Sequence, residues 1–284
     1  MVSGNTKVYG LFGYPVEHSF SPGMHNAAFA RLVMDACYVP FLVHPDFLKN
    51  AVQGMRAMNL RGMNVTVPHK QAVIEYLDGL SEEARLIGAV NTIEVLDGSL
   101  IGHNTDGRGF IRSLRDDARF NPKGKRILFI GSGGAARAVG FSLALAGAGT
   151  IDYLDLDNRK ASILAREMQT KTGAKVDAID SGHLSRAAAD ADCIINATPV
   201  GLKKTDPLPF NAGLIQKQHL VCDLVYNPSE TKLLMAAKAR GARTLSGIGM
   251  LLYQGVIAFE IWTNKKAPVQ VMKNALARQI RSAR

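Results

Sequence analysis

A lysine ends the run Asn64-Val65-Thr66-Val67-Pro68-His69-Lys70. Val65 and Val67 alternate with Asn64 and Thr66, the period of a strand with one buried face. Pro68 cannot donate to a sheet ladder, so the strand must stop there. Lys70 then stands at a strand end, where open α/β sheets build their sites. An amine in that place can pass a proton to or from a reacting oxygen. Other polar residues gather at strand ends as well: Ser19 and Ser21 in HSFSP, Asn91 in AVNT, Asn104 and Asp106 in GHNTDG, with Asn64 and Thr66 on the lysine's own strand. Each has a bland alternative: Ser21 and Asp106 as helix caps, Asn91 bonding its own loop, Lys70 pointing into water. Together they describe a small-molecule pocket of neutral donors with one lysine and one aspartate.

A second centre of chemistry is RILFIGSGGAARA. A run of apolar residues enters Gly131-Ser132-Gly133-Gly134-Ala135-Ala136, and a helix pattern follows. This is the G-x-G-x-x-G/A form at the first turn of a βαβ unit. The first glycine makes the tight turn, the second lets backbone approach a pyrophosphate, and the small residue at 136 lets helix and strand pack closely. The helix N-terminus adds free N–H groups and a positive dipole end. The next strand, TIDYLD, ends at Asp155, about 20 residues beyond the loop, where an acid bonds the ribose 2′-OH and repels a 2′-phosphate. Arg159 comes late for a phosphate clamp. Local chemistry therefore favours NAD, with NADP as the alternative. Asp155 or Asp157 could also cap the next helix.

These residues need elements to hold them. KVYGLFG, CYVPFLV and RGMNVTVP read as strands. SPGMHNAAFARLVM and PDFLKNAVQGMRAM read as helices, the first opened by Ser21 and Pro22. KQAVIEYL and SEEARLIG continue the helical pattern, and AVNTIEVLDGSLIGHN is a hairpin turning at Asp97-Gly98. After the helix TDGRGFIRSLRDD and the polar connector FNPKGK, strands alternate with helices down to ARTLS, which argues a parallel, doubly wound sheet. Two helical patterns close the chain. The expected fold class is α/β with two domains: residues 1–106, completed by helices in 248–284, and a Rossmann-type dinucleotide-binding domain in 107–247.

Composition narrows the function classes. Of 284 residues, 47% are apolar and 20% charged, which suits a packed globular protein. The net charge of +10 suits an anionic substrate and a phosphorylated cofactor as well as it suits nucleic acid. The basic residues are scattered without interleaved aromatics, so no nucleic-acid groove is expected. Cys37, Cys193 and Cys222 lie apart in apolar runs, with neither a disulfide framework nor a metal pair. No secretory leader and no membrane span is read, and the cytoplasm is the expected location.

HSFSP, NVTVPHK, GAVNT, NTDG, GSGGAARA, NATPVG, DLVYNP and GIGMLLYQG occur in the order found in shikimate dehydrogenases, which the chain resembles from about residue 8 to about residue 275. The resemblance implies a substrate domain and a nicotinamide domain with a cleft between them, and reversible reduction of 3-dehydroshikimate to shikimate. It matches Lys70 and Asp106 to the catalytic pair. Ser19 and Ser21 match the hydroxyls that hold the substrate carboxylate. Thr66, Asn91, Tyr226 and Gln254 match groups on the ring hydroxyls and carboxylate, with Asn64 beside them. Gly131, Ser132, Gly133, Gly134 and Ala135 match the phosphate loop. Thr198, Leu224, Gly247 and Met250 match residues near the nicotinamide. One stretch departs: the NADP-using branch has an Asn-Arg-Thr type run where this chain has Asp155-Leu156-Asp157. That resembles NAD-using quinate/shikimate dehydrogenases and leaves quinate open as a second substrate. A monomer or a homodimer is expected, with no membrane or nucleic-acid partner and no metal.

Overall fold

The computed structural model describes residues 2–282. Its chain forms two compact units: residues up to Thr105 together with those from Gln254 onward, and Asp106–Tyr253.

The first unit begins with β1 (Lys7–Gly13), α1 (Ser21–Arg31), β2 (Ala36–Leu42), α2 (Leu48–Ala57) and β3 (Gly62–Val65). It continues through β4 (Gly79–Leu80), α3 (Glu82–Ile87), β5 (Thr92–Leu96) and β6 (Ser99–His103). The sheet order is β2-β1-β3-β5-β6-β4. β1 runs parallel to β2 and β3, while β5 is antiparallel to both its neighbours. The β5–β6 turn puts both Asp97 and Gly98 at positive φ, 49° and 82°. Both values belong to the turn whose twist matches a hairpin. Val52, Met55, Met63, Val73, Ile93 and Leu100 are fully buried in one core. Each such side chain contributes about 1.5–3 kcal/mol relative to exposure.

Three local expectations differ from the structure. Ser21 lies inside the first turn of α1; Phe20 holds the cap position, and no side chain caps the helix there. The KQAVIEYL segment forms only a 3-10 turn, Ala72–Tyr76. The chain is drawn into the sheet edge straight afterwards: Asp78 N–H donates to Leu100 O at 3.0 Å, and Leu100 N–H donates back to the Asp78 carboxylate at 2.6 Å. β3 ends at Val65, short of Pro68, although Thr66 N–H still donates to Phe12 O at 2.9 Å.

The second unit starts with α4 (Asp106–Asp116) and β7 (Arg126–Ile130), followed by α5 (Gly134–Leu145), β8 (Thr150–Leu154), α6 (Asn158–Thr172) and β9 (Val176–Ile179). It continues with α7 (Leu184–Asp190), β10 (Cys193–Asn196), β11 (Leu220–Asp223), α8 (Lys232–Ala239) and β12 (Arg243–Ser246). Its six strands are all parallel, in the order β12-β11-β10-β7-β8-β9. Read from β9, this is the Rossmann order, and the strand order reverses between β7 and β10. Gly107 sets how closely α4 meets α5. A Cβ there would lie 1.9 Å from Ser142 Oγ and 2.5 Å from Ala138 O.

The chain closes with α9 (Ile248–Thr263) and α10 (Val269–Ser282). In the first unit, Trp262 of α9 donates its indole N–H to Ile93 O at 2.9 Å. Among the described residues no helix is long and apolar enough to cross a membrane.

Candidate active site

Each unit carries a polar cluster. In the first unit, the turn that follows β3 displays Lys70. Buried His69 anchors that turn, its Nε2 lying 2.8 Å from Val43 O. Val90 N–H donates to Lys70 O at 2.7 Å, so the backbone of the lysine is held from both sides. Lys70 itself is half-buried.

Asn64 and Asn91 are joined by one buried network. Tyr38 of β2 donates its hydroxyl to Asn64 Oδ1 at 2.8 Å. Asn64 Nδ2 donates to Asn91 O and to Thr92 Oγ1, both at 3.1 Å. Thr92 Oγ1 donates to Asn91 Oδ1 at 3.0 Å, and Thr105 N–H donates to the same oxygen at 2.8 Å. Asn91 therefore bonds beyond its own loop, to Thr92 at the start of β5 and to Thr105 after β6. Both N–H groups of Asn64 are engaged by the protein, which leaves one lone pair of Oδ1 for a ligand. Ser19 Oγ accepts from Ser21 N–H at 3.3 Å. Thr66 is half-buried at the end of β3. Asn104 donates to Ala89 O at 3.0 Å and serves the loop before Asp106. Gln254 is buried on α9.

In the second unit, Asp106 is the first residue of α4, where the helix dipole favours a carboxylate, and it is buried to 6% exposure. Tyr226 lies close enough to feel that charge. Burial pushes the Tyr226 hydroxyl pKa up, and Asp106 pushes it further. At the end of β7, Gly131 has φ 98°, and a Cβ there would lie 2.8 Å from the Thr198 methyl. Only glycine suits both conditions. Gly133 and Gly134 differ: a Cβ on either would meet nothing within 4 Å, and no side chain caps α5. The loop thus presents a bare backbone face and unsatisfied helix N–H groups, which fits a dinucleotide pyrophosphate. Ala135 follows in the first turn of α5.

Asp155 is locked beside that loop. Its Oδ2 accepts from Ser132 N–H at 2.7 Å and from the Ser132 hydroxyl at 2.6 Å, while Oδ1 accepts from Asp157 N–H at 2.9 Å. Burial works to raise its pKa, but these hydrogen bonds outweigh it and the net shift is downward. The group is therefore an anion at neutral pH. Asp157 is the residue that caps α6, accepting from Lys160 N–H at 3.3 Å. Of the two acids, Asp157 and not Asp155 is the helix cap.

At the ends of β10 and β11, a buried pair shapes the next loops. Asn196 donates to Asp223 Oδ1 at 2.9 Å and accepts from Thr198 N–H and Oγ–H at 3.1 and 2.7 Å. Thr231 donates to the other Asp223 oxygen at 2.6 Å. Leu224 N–H donates to Asn196 O at 2.9 Å. Thr198 and Leu224 are thus both held by Asn196, the first through its side chain and the second through its backbone carbonyl. Gly247 lets its chain pass 2.4 Å, in virtual Cβ distance, from Leu224 O, and Met250 is half-buried on α9. Among the described residues no group of three His, Cys, Asp or Glu could hold a metal ion. Sequence reasoning did not single out Tyr38, His69 or Asp223. Their only local signal is polarity within apolar strands or beside them.

Known proteins match this chain throughout its length. Residues 11–93 fit the family model of the shikimate dehydrogenase substrate binding domain, and residues 247–277 that of the shikimate 5′-dehydrogenase C-terminal domain. A "Shikimate dehydrogenase (NADP(+))" of Desulforamulus reducens is 52% identical over 283 residues, covering 98% of this chain and 97% of its own. A crystal structure of a shikimate dehydrogenase in complex with NADP+ matches at TM-score 0.92 and 43% identity, covering 99% and 98% of the two chains. The shikimate 5-dehydrogenase of Listeria monocytogenes, in complex with shikimate and NAD, matches at TM-score 0.91 and 41% identity, covering 97% and 98%.

Proposed function

The chain belongs to the shikimate dehydrogenase family, and we propose that it catalyses the reversible nicotinamide-dependent reduction of 3-dehydroshikimate to shikimate, a step toward the aromatic amino acids. The observation that carries this is the unbroken match of 52% identity over 98% of the chain to a relative named for that activity. The first unit is the substrate part and the second the cofactor part. The cofactor, when bound, exchanges hydride at nicotinamide C4 with the substrate carbon. Gly131 to Ala135 and the α5 N-terminus would hold its phosphates, and Thr198, Leu224, Gly247 and Met250 would border its reactive end.

Lys70 donates the proton that the carbonyl oxygen needs as negative charge grows on it, and takes it back in the oxidation direction. Asp106 accepts a hydrogen bond from a substrate hydroxyl and orients the ring. Ser19 and Ser21 bind the substrate carboxylate. Thr66, Asn91, Tyr226 and Gln254 bind ring hydroxyls and the carboxylate, with Asn64 contributing its one remaining lone pair.

NAD is the preferred cofactor in this reading. The ionised Asp155, clamped by Ser132 and by Asp157 N–H, suits a ribose 2′-OH and repels a 2′-phosphate. The NADP(+) in the name of the curated relative weighs the other way and keeps NADP as the alternative. The relatives above are named for shikimate, so quinate stands second. Four absorbance traces at the reduced-nicotinamide band, NAD or NADP with shikimate or quinate, test all of this. Turnover of shikimate with NAD is expected. No turnover of shikimate with either cofactor sinks the function, and a clear NADP preference sinks the role of Asp155.

A further inference from the structure

At the centre of the first unit's polar cluster lies a residue with no part in the proton or hydride steps. Tyr38 is 2% exposed and stacks flat on His25, with centroids 4.5 Å apart and planes 9° from parallel. His25 is fully buried, and burial pushes its pKa down to about 3, so the stacking partner is a neutral ring. Trp262 flanks both rings. Packing therefore fixes where the Tyr38 hydroxyl lies, and phenylalanine would fill the same ring space. What tyrosine adds is the oxygen.

That oxygen ties β2 to a second element. It donates to Asn64 Oδ1 at 2.8 Å, at the middle of β3. The orientation of the Asn64 amide is unambiguous, because its nitrogen faces the Asn91 carbonyl, which can only accept. The Ser21 side chain lies near enough to the same oxygen to oppose the upward pKa shift that burial imposes on it. Ser21 cannot satisfy itself as a helix cap, since it lies inside the first turn of α1.

The geometry points to Tyr38 as a positioning residue for substrate binding: one buried hydroxyl orders Asn64 on β3, beside Ser21 on α1, for the carboxylate and ring hydroxyls. This deepens the function proposed above and rests on the assignment of Ser21 to the substrate. Removing the oxygen leaves buried Asn64 Oδ1 to find another partner, so the ligand it serves is bound less well.

The test compares Tyr38→Phe, Ser21→Ala and the double variant in the full chain, measuring kcat, both KM values and Tm. Tyr38→Phe is expected to raise the shikimate KM roughly three- to tenfold, the size of one net hydrogen bond. kcat and the cofactor KM should stay within about twofold of the parent. The double variant should raise the shikimate KM by less than the product of the single effects, because the two side chains are neighbours serving one ligand group. A lowered Tm with an unchanged shikimate KM overturns the inference, as do equal rises in both KM values or fully multiplicative effects. If Ser21→Ala raises the shikimate KM while Tyr38→Phe does not, only this inference fails. If Ser21→Ala leaves it unchanged, the substrate assignment fails and takes the inference with it.

Discussion

At the residue scale, the proposed chemistry makes its sharpest demand on Lys70. A single general acid/base group contributes ~10²–10⁴ in rate. Lys70→Ala should therefore lower kcat by about that factor, with the shikimate KM moving only a few-fold. A variant that keeps near-parent kcat would remove the lysine from the mechanism. Lys70 and Asp155 could be singled out as candidates from the sequence because local signals mark them: a proline just beyond a strand, and an acid at a set interval past a glycine loop. Tyr38, His69 and Asp223 were not. Tyr38 meets Asn64 across 26 positions, and His69 meets Val43 O across 26 as well. Asp223 meets Asn196 across 27. Such partners are neighbours only once strands are in register, and a strand sequence alone shows each as one polar residue among apolar ones. Ser21 shows the opposite error. A serine before a proline looks like a helix cap, yet the helix starts one residue sooner and no side chain caps it.

At the element scale, the phosphate loop depends on α5 staying seated against α6. Arg137, near the start of α5, makes a two-pronged pair with Glu167 of α6, at 2.7 and 2.5 Å. Lys171 adds a third bond to the same carboxylate at 2.7 Å. The Arg137 hydrogen bond is the largest cause that holds the Glu167 pKa down, from 4.5 to about 2. A depressed carboxylate pKa contributes stability above the unfolded value, and that stability is lost as pH falls toward the folded one. Glu167 is 29% exposed, so solvent screening cuts the linkage energy, and about 1–2 kcal/mol remains. Glu167→Gln should lower Tm by roughly 3–6 °C at pH 7. Near pH 2.5 most of that gap should close, because the parent glutamate is then losing its charge. A gap of the same size at both pH values would mean that the pair contributes by shape rather than charge. Most elements of this kind were readable from periodicity and caps; Ser81 does cap α3, accepting from Ala84 N–H at 3.2 Å. The two-residue β4 was not readable, because it is defined by its pairing with β6 and has no period of its own.

At the scale of the whole molecule, the doubly wound order of the second sheet followed from strand–helix alternation, whereas the mixed order of the first did not. There, β5 inserts between β3 and β6 and reverses direction, a choice made by the hairpin at Asp97-Gly98 rather than by alternation. The charge of +10 is likewise a property of the molecule as a whole. It is spread thinly along the chain, so it marks no single site, but it biases every encounter. In the proposed reaction both substrate and cofactor are anions, and a net positive protein raises their local concentration. At 0.01 M ionic strength that field reaches about 30 Å, and at 1 M only about 3 Å. Raising the salt over this range should therefore increase the shikimate KM by about two- to fivefold while kcat stays nearly constant, since the buried groups at the proposed site are screened far less. The measurement is a salt series with a monovalent chloride at fixed pH. A KM that does not respond to salt would show that the surplus charge lies too far from the path of the substrate to matter. A kcat that falls in step with the rise in KM would place the salt effect on the structure instead.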